Sequence, residues 1–553
     1  MTQQRLKVIP LGGVGEIGKN MWVVEYGDDI ILLDCGLMFP EDEMLGIDLV
    51  IPDISYLIEN REKVRAIVLS HGHEDHTGAL PYVLPQINVP IYATKLAQGL
   101  VSVKLKEHRL LGSVEQVVVE AGDAVRLGEF TVEFIRVAHS IPDAVSVVVR
   151  SPVGTLVYTG DFKFDQSPMD GKVTDFGRLA ELGAQGVLVL LSDCTRVEQP
   201  GFTPSERVVT ESFERIFQRA QGRVLITTFA SNISRVQQAI QCAHRFGRKA
   251  AVVGRSMESN IAIAQELDYV NIPDGVLMRV EEINRLDPDK ILYVTTGAQG
   301  EPTSVLSRIA NREHRQIQLK PGDTAIISAT PVPGNEEAVA RTINNLFRQG
   351  VDVIYGPEAN VHVSGHASRE ELRLMINLLR PQFCVPAHGE YRHMVLYKRL
   401  AEECGIPSSN ILMPDLGSVM EFRPGGFGKI TGKVTAGDVL VDGVTVGEVG
   451  EVVLRDRQLL AKDGVLIVVV TVDRQTGRVV AGPDVVSRGF VYARNAEELL
   501  EAARERARQV LEVDGAGQAE LGFIQSKLKE AVGRFLYEQT RRRPMILPVV
   551  QEM

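Results

Sequence analysis

Cysteine is scarce in this chain: Cys35, Cys194, Cys242, Cys384 and Cys404 are the five among 553 residues, and no two have a paired spacing. Neither a disulfide framework nor a thiolate zinc site is therefore expected. Long apolar runs are missing as well. The stretch Val465 to Val472 is far too short to span a bilayer, which takes about 20 residues. The N-terminus has no secretory apolar region, so a cytoplasmic protein without membrane attachment is expected. Nor is there an excess of basic charge. A net charge of −11 at pH 7 argues against indiscriminate coating of nucleic acid, while leaving room for a channel lined by metals and local Arg or Lys. The length allows about three domains with ample core.

Histidine, by contrast, is concentrated. His71, His73, Asp75 and His76 fall in the run Leu69-Ser70-His71-Gly72-His73-Glu74-Asp75-His76-Thr77-Gly78. Neutral imidazole nitrogens are first-choice zinc ligands, and unpaired buried histidines cost stability. The preceding Arg65-Ala66-Ile67-Val68-Leu69 reads as a buried strand, so the cluster occupies the loop leaving it. In that loop His71 and His73 converge on one ion, and Asp75 and His76 turn toward a second. Other apolar runs end in candidate partners: Asp34 after Ile30-Ile31-Leu32-Leu33, His139 after Phe134-Ile135-Arg136-Val137, Asp161 after Leu156-Val157-Tyr158, and His388 after Phe383-Cys384-Val385-Pro386. Polar residues at the ends of buried strands gather on one rim of a sheet. The expected division is His71, His73 and His139 on one metal, Asp75, His76 and His388 on the other, with Asp161 bridging. Asp34 reads either as a ligand or as a carboxylate that supports one. Two divalent ions roughly 3.5–4 Å apart lower the pKa of a shared water toward ~7 and spread the charge of an in-line attack on phosphorus.

Two glycine patterns compete with this reading. Gly13-Val14-Gly15-Glu16-Ile17-Gly18 has the dinucleotide spacing, and Gly13 to Lys19 has most of a P-loop. Asn20 stands where a P-loop needs Ser or Thr, and Met21-Trp22-Val23-Val24-Glu25-Tyr26 reads as a strand where both motifs need a helix. A glycine-rich turn between two strands fits better.

Between Asp161 and His388 lies far more chain than a compact metallohydrolase requires. Strands at Val224-Leu225-Ile226-Thr227-Thr228, Ala250-Ala251-Val252-Val253, Ile291-Leu292-Tyr293-Val294 and Ala325-Ile326-Ile327 are expected, with helices from about Ser234 to Phe246 and Glu336 to Arg348. Such alternation argues for a mostly parallel sheet with helices on its faces, able to close over the metals. Its strand-to-helix loops carry Ser, Thr, Asn and Gly, which suit phosphate contact.

The His-x-His-x-Asp-His run followed by Thr159-Gly160-Asp161 resembles the metallo-β-lactamase superfamily, an αββα sandwich. The insertion resembles the β-CASP domain of its nucleic-acid-processing branch. The matching motifs are Ser192-Asp193-Cys194-Thr195, Ser364-Gly365-His366-Ala367-Ser368 and Pro386-Ala387-His388-Gly389-Glu390. With Pro10 to Asn20, Gly201 to Glu206 and Thr228-Phe229-Ala230-Ser231-Asn232, the match extends over most of the chain to the bacterial ribonuclease J family. One departure is that Cys194 and Arg196-Val197 replace the small polar residues usual after the acidic motif.

The resemblance implies an α/β chain with the hydrolase domain at 1–206 and 367–425, the β-CASP domain at 207–366, a β-rich connector at 426–459 and a small α/β C-terminal domain at 460–553. It assigns acid–base work to Asp193 and His366. Substrate contacts fall to Ser231, Asn232, Ile233, His362, Val363, Ser364, Gly365 and His366. The implied activity is metal-dependent 5′-to-3′ exonuclease digestion of single-stranded RNA from a 5′-monophosphate, together with endonuclease cleavage, in mRNA decay and rRNA maturation. Two zinc ions are implied, with manganese as the alternative for turnover. A structural calcium is implied at Leu45, Ile47 and Asp442, whose carbonyl and carboxylate oxygens suit a hard cation. A homodimer through the C-terminal domain is also implied. The competing functions are a β-CASP DNA nuclease and a catalytically silent RNA-binding scaffold.

Past His388, the valine-alternating stretch from Arg423 to Gly450 reads as β-rich. The remainder reads strand, turn at Gln475-Thr476-Gly477, strand, two helices, strand. Leu499, Leu500, Ala503 and Val510 form the apolar face of the helix from Ala496 to Val513. Arg541-Arg542-Arg543 reads as a solvated charge run, with RNA contact as the alternative.

Overall fold

A computed structural model describes residues 5–41, 43–332, 334–443, 445–473, 479–490, 497–513 and 521–553. The chain divides into two compact units, Met1–Phe39 with Leu49–Val439, and Pro40–Asp48 with Leu440–Met553.

In the first unit the apolar runs become strands buried on both faces. One sheet has eight strands in the order Phe427–Lys433, Ser418–Arg423, Leu6–Gly12, Met21–Tyr26, Asp29–Leu33, Val64–Val68, Ile91–Thr94 and Gln116–Val119. A second has six, in the order Phe383–Ala387, Val189–Asp193, Gly154–Tyr158, Val145–Ser151, Phe130–Arg136 and Ala124–Leu127. Val8, Trp22, Ile31 and Val68 from the first sheet share one core with Phe134, Val147, Tyr158 and Val385 from the second. Helices Arg369–Leu379 and Tyr391–Glu403 add Leu372, Met375 and Tyr397 to the same cluster. This is the αββα sandwich that the sequence resemblance implies, and two-sided burial explains the unbroken apolar runs. The glycine-rich segment after Gly12 is a turn between strands, as its flanks require. Its Lys19 is fully buried and paired with Glu16 (3.2 Å) and Asp438, so the lysine of the P-loop look-alike is spent on a structural ion pair.

The insertion forms a five-stranded, wholly parallel sheet in the order Lys249–Val253, Ile291–Thr295, Val224–Thr227, Thr324–Ile327 and Asp352–Ile354. Alternate side chains serve two cores. Leu292, Val294 and Ile226 pack with helix Ile233–Arg245, while Tyr293, Leu225 and Ile327 pack with helix Glu336–Arg348. A fully buried arginine ties this layer to the hydrolase core. Arg235 donates from Nη2 to Glu206 (2.6 Å), from Nε to Gln238 (2.8 Å), and from Nη1 to the Val361 carbonyl (3.0 Å) and Ser328.

In the second unit, Val465–Val472 runs antiparallel to Val479–Arg488 and parallel to Met545–Glu552. Leu466, Val468 and Val470 pack against Ala503, Ala507, Leu528 and Val532 of helices Glu497–Val513 and Leu521–Thr540. The expected turn at Gln475-Thr476-Gly477, and Ala496 at the expected start of the first helix, lie outside the described residues. Helix Glu451–Asp463 is not anticipated by the sequence reading, because none of its side chains is buried and its apolar positions follow no clear stripe. Within the arginine run, Arg542 donates to the Phe490 carbonyl (2.7 Å) and to Asp463 (3.3 Å), and Arg543 N donates to Asp463 (3.1 Å). Much of that positive charge is engaged inside its own unit.

The helices Phe176–Gln185 and Arg369–Leu379 cross where Gly183 has no side chain. A Cβ there would stand 1.9 Å from the Leu378 carbonyl oxygen. Gly183→Ala should force the helices apart and cost about 1–3 kcal/mol, the usual scale of overpacking. A lower urea or thermal midpoint measures it, and an unchanged midpoint would show that the crossing is not close.

Candidate metal centre and catalytic cleft

The strand Val64–Val68 delivers the chain into the histidine loop, whose shape is set by one carboxylate. Asp34, fully buried and in the left-handed region at φ 61°, follows the neighbouring strand Asp29–Leu33. Its Oδ1 accepts from Ser70 N (2.7 Å), and its Oδ2 from Ser70 Oγ (2.8 Å), Tyr158 OH (2.8 Å) and His76 Nδ1 (2.7 Å). Asp tolerates this backbone region better than most residues. Of the two sequence readings of Asp34, the geometry fits the supporting one: it fixes the His76 ring and directs Nε2 outward. Tyr158 is a participant the sequence reading missed, since a tyrosine inside a buried strand gives no separate signal.

Two sets of donors converge on Asp161 as the sequence divides them, and a third group joins Asp161 and His388 to Asp193 and His366. His71, His73, His139 and Asp161 form one, and Asp75, His76, Asp161 and His388 the other, with the ligand atoms within each set inside 4.8 Å of one another. His73 Nδ1 lies 3.0 Å from His71 Nε2 and 3.1 Å from His139 Nε2. Asp161 places Oδ2 3.1 Å from His76 Nε2 and Oδ1 2.7 Å from His388 Nδ1. Asp75 Oδ2 stands 3.4 Å from both His76 Nε2 and His388 Nε2.

Burial, then the neighbouring imidazoles, holds His71 well below its ordinary pKa, and burial with His73 does the same for His139. Burial brings His73 down to about 4. His76 goes the other way: against burial, Asp161, Asp75 and Asp34 raise it. Asp161 is held well below the carboxylate range by His388, His76 and His366, again against burial.

These residues fit divalent ions. His139 donates from Nδ1 to the Gly365 carbonyl (2.8 Å), which leaves Nε2 with a bare lone pair facing His73. His388 Nε2 is buried without any hydrogen-bond partner. Neutral imidazoles with facing lone pairs and a shared carboxylate are the donor set of a transition-metal site.

Beside this cluster lies an acid–base pair. His366 Nδ1 is 2.9 Å from Asp193 Oδ2, and its Nε2 is 3.9 Å from Asp161. Asp193 Oδ1 accepts from Thr195 N (2.9 Å) and Thr195 Oγ (2.6 Å). Burial would lower the His366 pKa, but Asp193 and Asp161 raise it to about 9, so its carboxylate neighbours favour the protonated ring.

The phosphate-contact residues divide. Ser364 and His366 are half-buried along the cleft loop. Gly365 is required there, because a Cβ would stand 2.5 Å from His139 Cε1. His362 Nδ1 is buried without a partner. Asn232, 2% exposed, caps helix Ile233–Arg245 by accepting from Arg235 N (3.0 Å), and its amide nitrogen is left for other contacts. Ile233 and Val363 turn their side chains into the core, and Ile233 N donates to Ser231 O (2.9 Å). At those two positions only backbone is available to a substrate. Arg235 holds the loops around Asn232 and Val361 beside each other.

In the second unit, Leu45 O and Asp442 Oδ2 face the guanidinium of Arg457 at 2.9 and 2.5 Å, while Ile47 is buried. The positive charge anticipated there from calcium is carried by the chain itself, on the unanticipated helix Glu451–Asp463.

Residues 14–226 match the metallo-beta-lactamase superfamily, 221–346 the ribonuclease J beta-CASP domain, 350–414 the Zn-dependent metallo-hydrolase RNA specificity domain and 452–553 the ribonuclease J C-terminal domain. Ribonuclease J2 of Bacillus subtilis is 43% identical over 551 residues, 100% of this chain and 99% of that protein. Ribonuclease J 1 of Streptococcus pyogenes is 43% identical over 544 residues, 98% and 97% of the two chains. Ribonuclease J 2 of Staphylococcus aureus is 40% identical over 552 residues, 99% and 98%. A crystal structure of a protein of unknown function from Enterococcus faecalis V583 shares the fold at 17% identity and TM-score 0.54, covering 76% of this chain and 100% of that one. With relatives this similar along its entire length, the chain belongs to the ribonuclease J family.

Proposed function

We propose that the protein is a two-zinc ribonuclease that digests single-stranded RNA 5′ to 3′ from a monophosphorylated end and also cuts internally. The observation that carries this reading is the placement of His366, hydrogen-bonded to Asp193 and 3.9 Å from the Asp161 carboxylate between the two donor sets. A hydrolase that cleaves a phosphodiester must deliver a proton to the departing 3′ oxygen, and an imidazole whose protonated form is favoured by Asp193 is placed to supply it. His71, His73 and His139 would hold one ion and Asp75, His76 and His388 the other, with Asp161 shared. Bound there, the ions activate water and neutralise charge on the phosphate. Asp193 orients His366 and stabilises its charged form, while Thr195 holds Asp193 in place. Ser231, Asn232, His362 and Ser364 would grip phosphate with side-chain donors, and Val363 and Gly365 with backbone, while the Ile233 N–H is already given to Ser231 O.

The relatives' printed names support RNA as substrate, as does the match of residues 350–414 to an RNA specificity domain. Among the described residues, no helix is long and apolar enough to cross a membrane. We assign pairing into a homodimer to the C-terminal domain, whose sheet leaves Val486 and Leu547 42% and 48% exposed. A calcium ion near Leu45 and Asp442 would have to displace Arg457. Matched RNA and 2′-deoxy oligonucleotides with zinc or manganese test the whole reading; preferential cleavage of the deoxy series would make this a DNA nuclease, and no cleavage of either would leave the silent scaffold.

Asp161→Ala should abolish cleavage and lower the metal content from close to two ions per chain, as read by elemental analysis; retained activity would sink the shared-ligand arrangement. Asp34→Asn should keep cleavage at saturating metal while weakening metal affinity about ten- to a hundredfold, the usual effect of losing a partner that orients a ligand. Equilibrium dialysis measures it. The wild type should also digest 5′-monophosphate RNA faster than 5′-triphosphate RNA. Ser364→Ala should shrink that ratio about tenfold or more, the worth of a hydrogen bond to a charged group. Equal single-turnover rates on both ends by the wild type would rule out a phosphate-sensing pocket.

A further inference from the structure

Arg196 follows the acidic motif, three residues after Asp193, and its side chain has no visible employment. Its backbone pairs in a parallel bridge with Ser368, which places it between the segment carrying Asp193 and the segment carrying His366. The Nε atom is buried and has no hydrogen-bond partner. Among the described residues, no hydrogen bond or ion pair engages this guanidinium. Two buried arginines of the insertion contrast with it: Arg235 is engaged as described, and Arg248 by the carbonyls of Ala220 (2.6 Å), Gly222 (2.8 Å) and Ile291 (3.3 Å).

The carboxylates near Arg196 are already committed. Glu371 accepts from Phe164 N, Thr203 N and Ser368 N, each at 2.7 Å. Asp193 accepts from His366 and Thr195. Burial lowers the Arg196 pKa, and Glu371 and Asp193 only partly offset it. A second orphan is in the same field. His362 Nδ1 has no partner, and burial, with Arg235, Lys163 and Arg196 around it, pushes this histidine down to about 3. A half-buried guanidinium whose Nε has no acceptor, beside an unpartnered imidazole nitrogen, is short of an anion.

We infer that the Arg196 guanidinium binds a phosphate group of the RNA substrate on the Asp193 side of the cleft, with His362 as its neighbour. This deepens the ribonuclease reading and rests on it. The planar fork of arginine matches two phosphate oxygens at once, which a lysine at the same place would not reproduce. The phosphate is either the 5′-terminal monophosphate or an internal phosphodiester; both present the same pair of oxygens.

The test compares wild type, Arg196→Gln and Arg196→Lys on matched 5′-monophosphate and 5′-hydroxyl oligoribonucleotides. The Gln variant should raise KM about ten- to a hundredfold, the worth of hydrogen bonds to a charged group, and the Lys variant should recover part of it. An effect confined to the monophosphate substrate identifies the terminal phosphate, and an equal effect on both identifies an internal one. Thermal unfolding supplies a readout independent of cleavage. Removing an unpartnered charge should leave the Arg196→Gln unfolding temperature unchanged or higher, and inorganic phosphate should raise that of the wild type more than that of the variant. An active wild type with unchanged KM in a folded Arg196→Gln overturns the inference and leaves the ribonuclease reading standing. So does a variant that is less stable but equally fast, since it makes the guanidinium purely structural. A wild type that cleaves no RNA overturns the ribonuclease reading instead, and the phosphate-dependent unfolding then decides whether Arg196 holds an anion.

Discussion

Imidazole rings do not crowd together in a protein interior without a reason. Here His71 lies with its ring centre 4.7 Å from His73 and 4.8 Å from His139. Were these rings protonated they would repel strongly in so dry a place. Kept neutral, they present lone pairs to one another and leave donors and acceptors unmatched. Positive charge between them resolves both problems, and Asp161, reaching both groups, supplies the negative counterpart. The surrounding architecture serves this requirement. Asp34 fixes one ring, Gly365 fixes another through its carbonyl, and two facing sheets bring the strand ends to a common rim.

How much of this was legible in sequence depended on whether a residue's partner is near in the chain. The cluster His71 to His76 was readable because its members are adjacent, and Asp161 and His388 because each ends an apolar strand. The strands and helices of the insertion were readable because a parallel sheet covered on both faces leaves unbroken apolar runs between polar turns. Glu371 was invisible: it is a helix carboxylate whose acceptor role depends on Phe164 and Thr203, over 160 positions away. Arg235 and Lys163 give no signal in the sequence, yet both are buried and meet at Glu206. Ile233 was read with its polar neighbours as a phosphate contact, whereas its side chain belongs to the core. The helix carrying Arg457 was missed because it buries nothing, and with it the cation that faces Leu45 and Asp442.

Lys163, Glu206 and Arg235 also explain how two differently built layers keep a common register. A buried arginine with each nitrogen satisfied costs a great deal to break, since removing one partner strands a charge in a dry interior. It therefore acts as a positional device more than as a source of net stability. The loops it pins, around Asn232 and Val361, are those proposed to face each other across a phosphate, so under that reading the polar network keeps them aligned.

The hydrogen bond from His139 to the Gly365 carbonyl has a further consequence. It joins a ring in one donor set to the backbone between Ser364 and His366, and no side chain intervenes. Anything that pulls the loop also tilts the ring, and anything that seizes the ring steadies the loop. Binding free energies coupled in this way are reciprocal: by whatever factor an occupied metal centre improves the grip on RNA, RNA improves the retention of metal. The length of time the protein keeps its ions is then a property of its traffic as well as of its ligands.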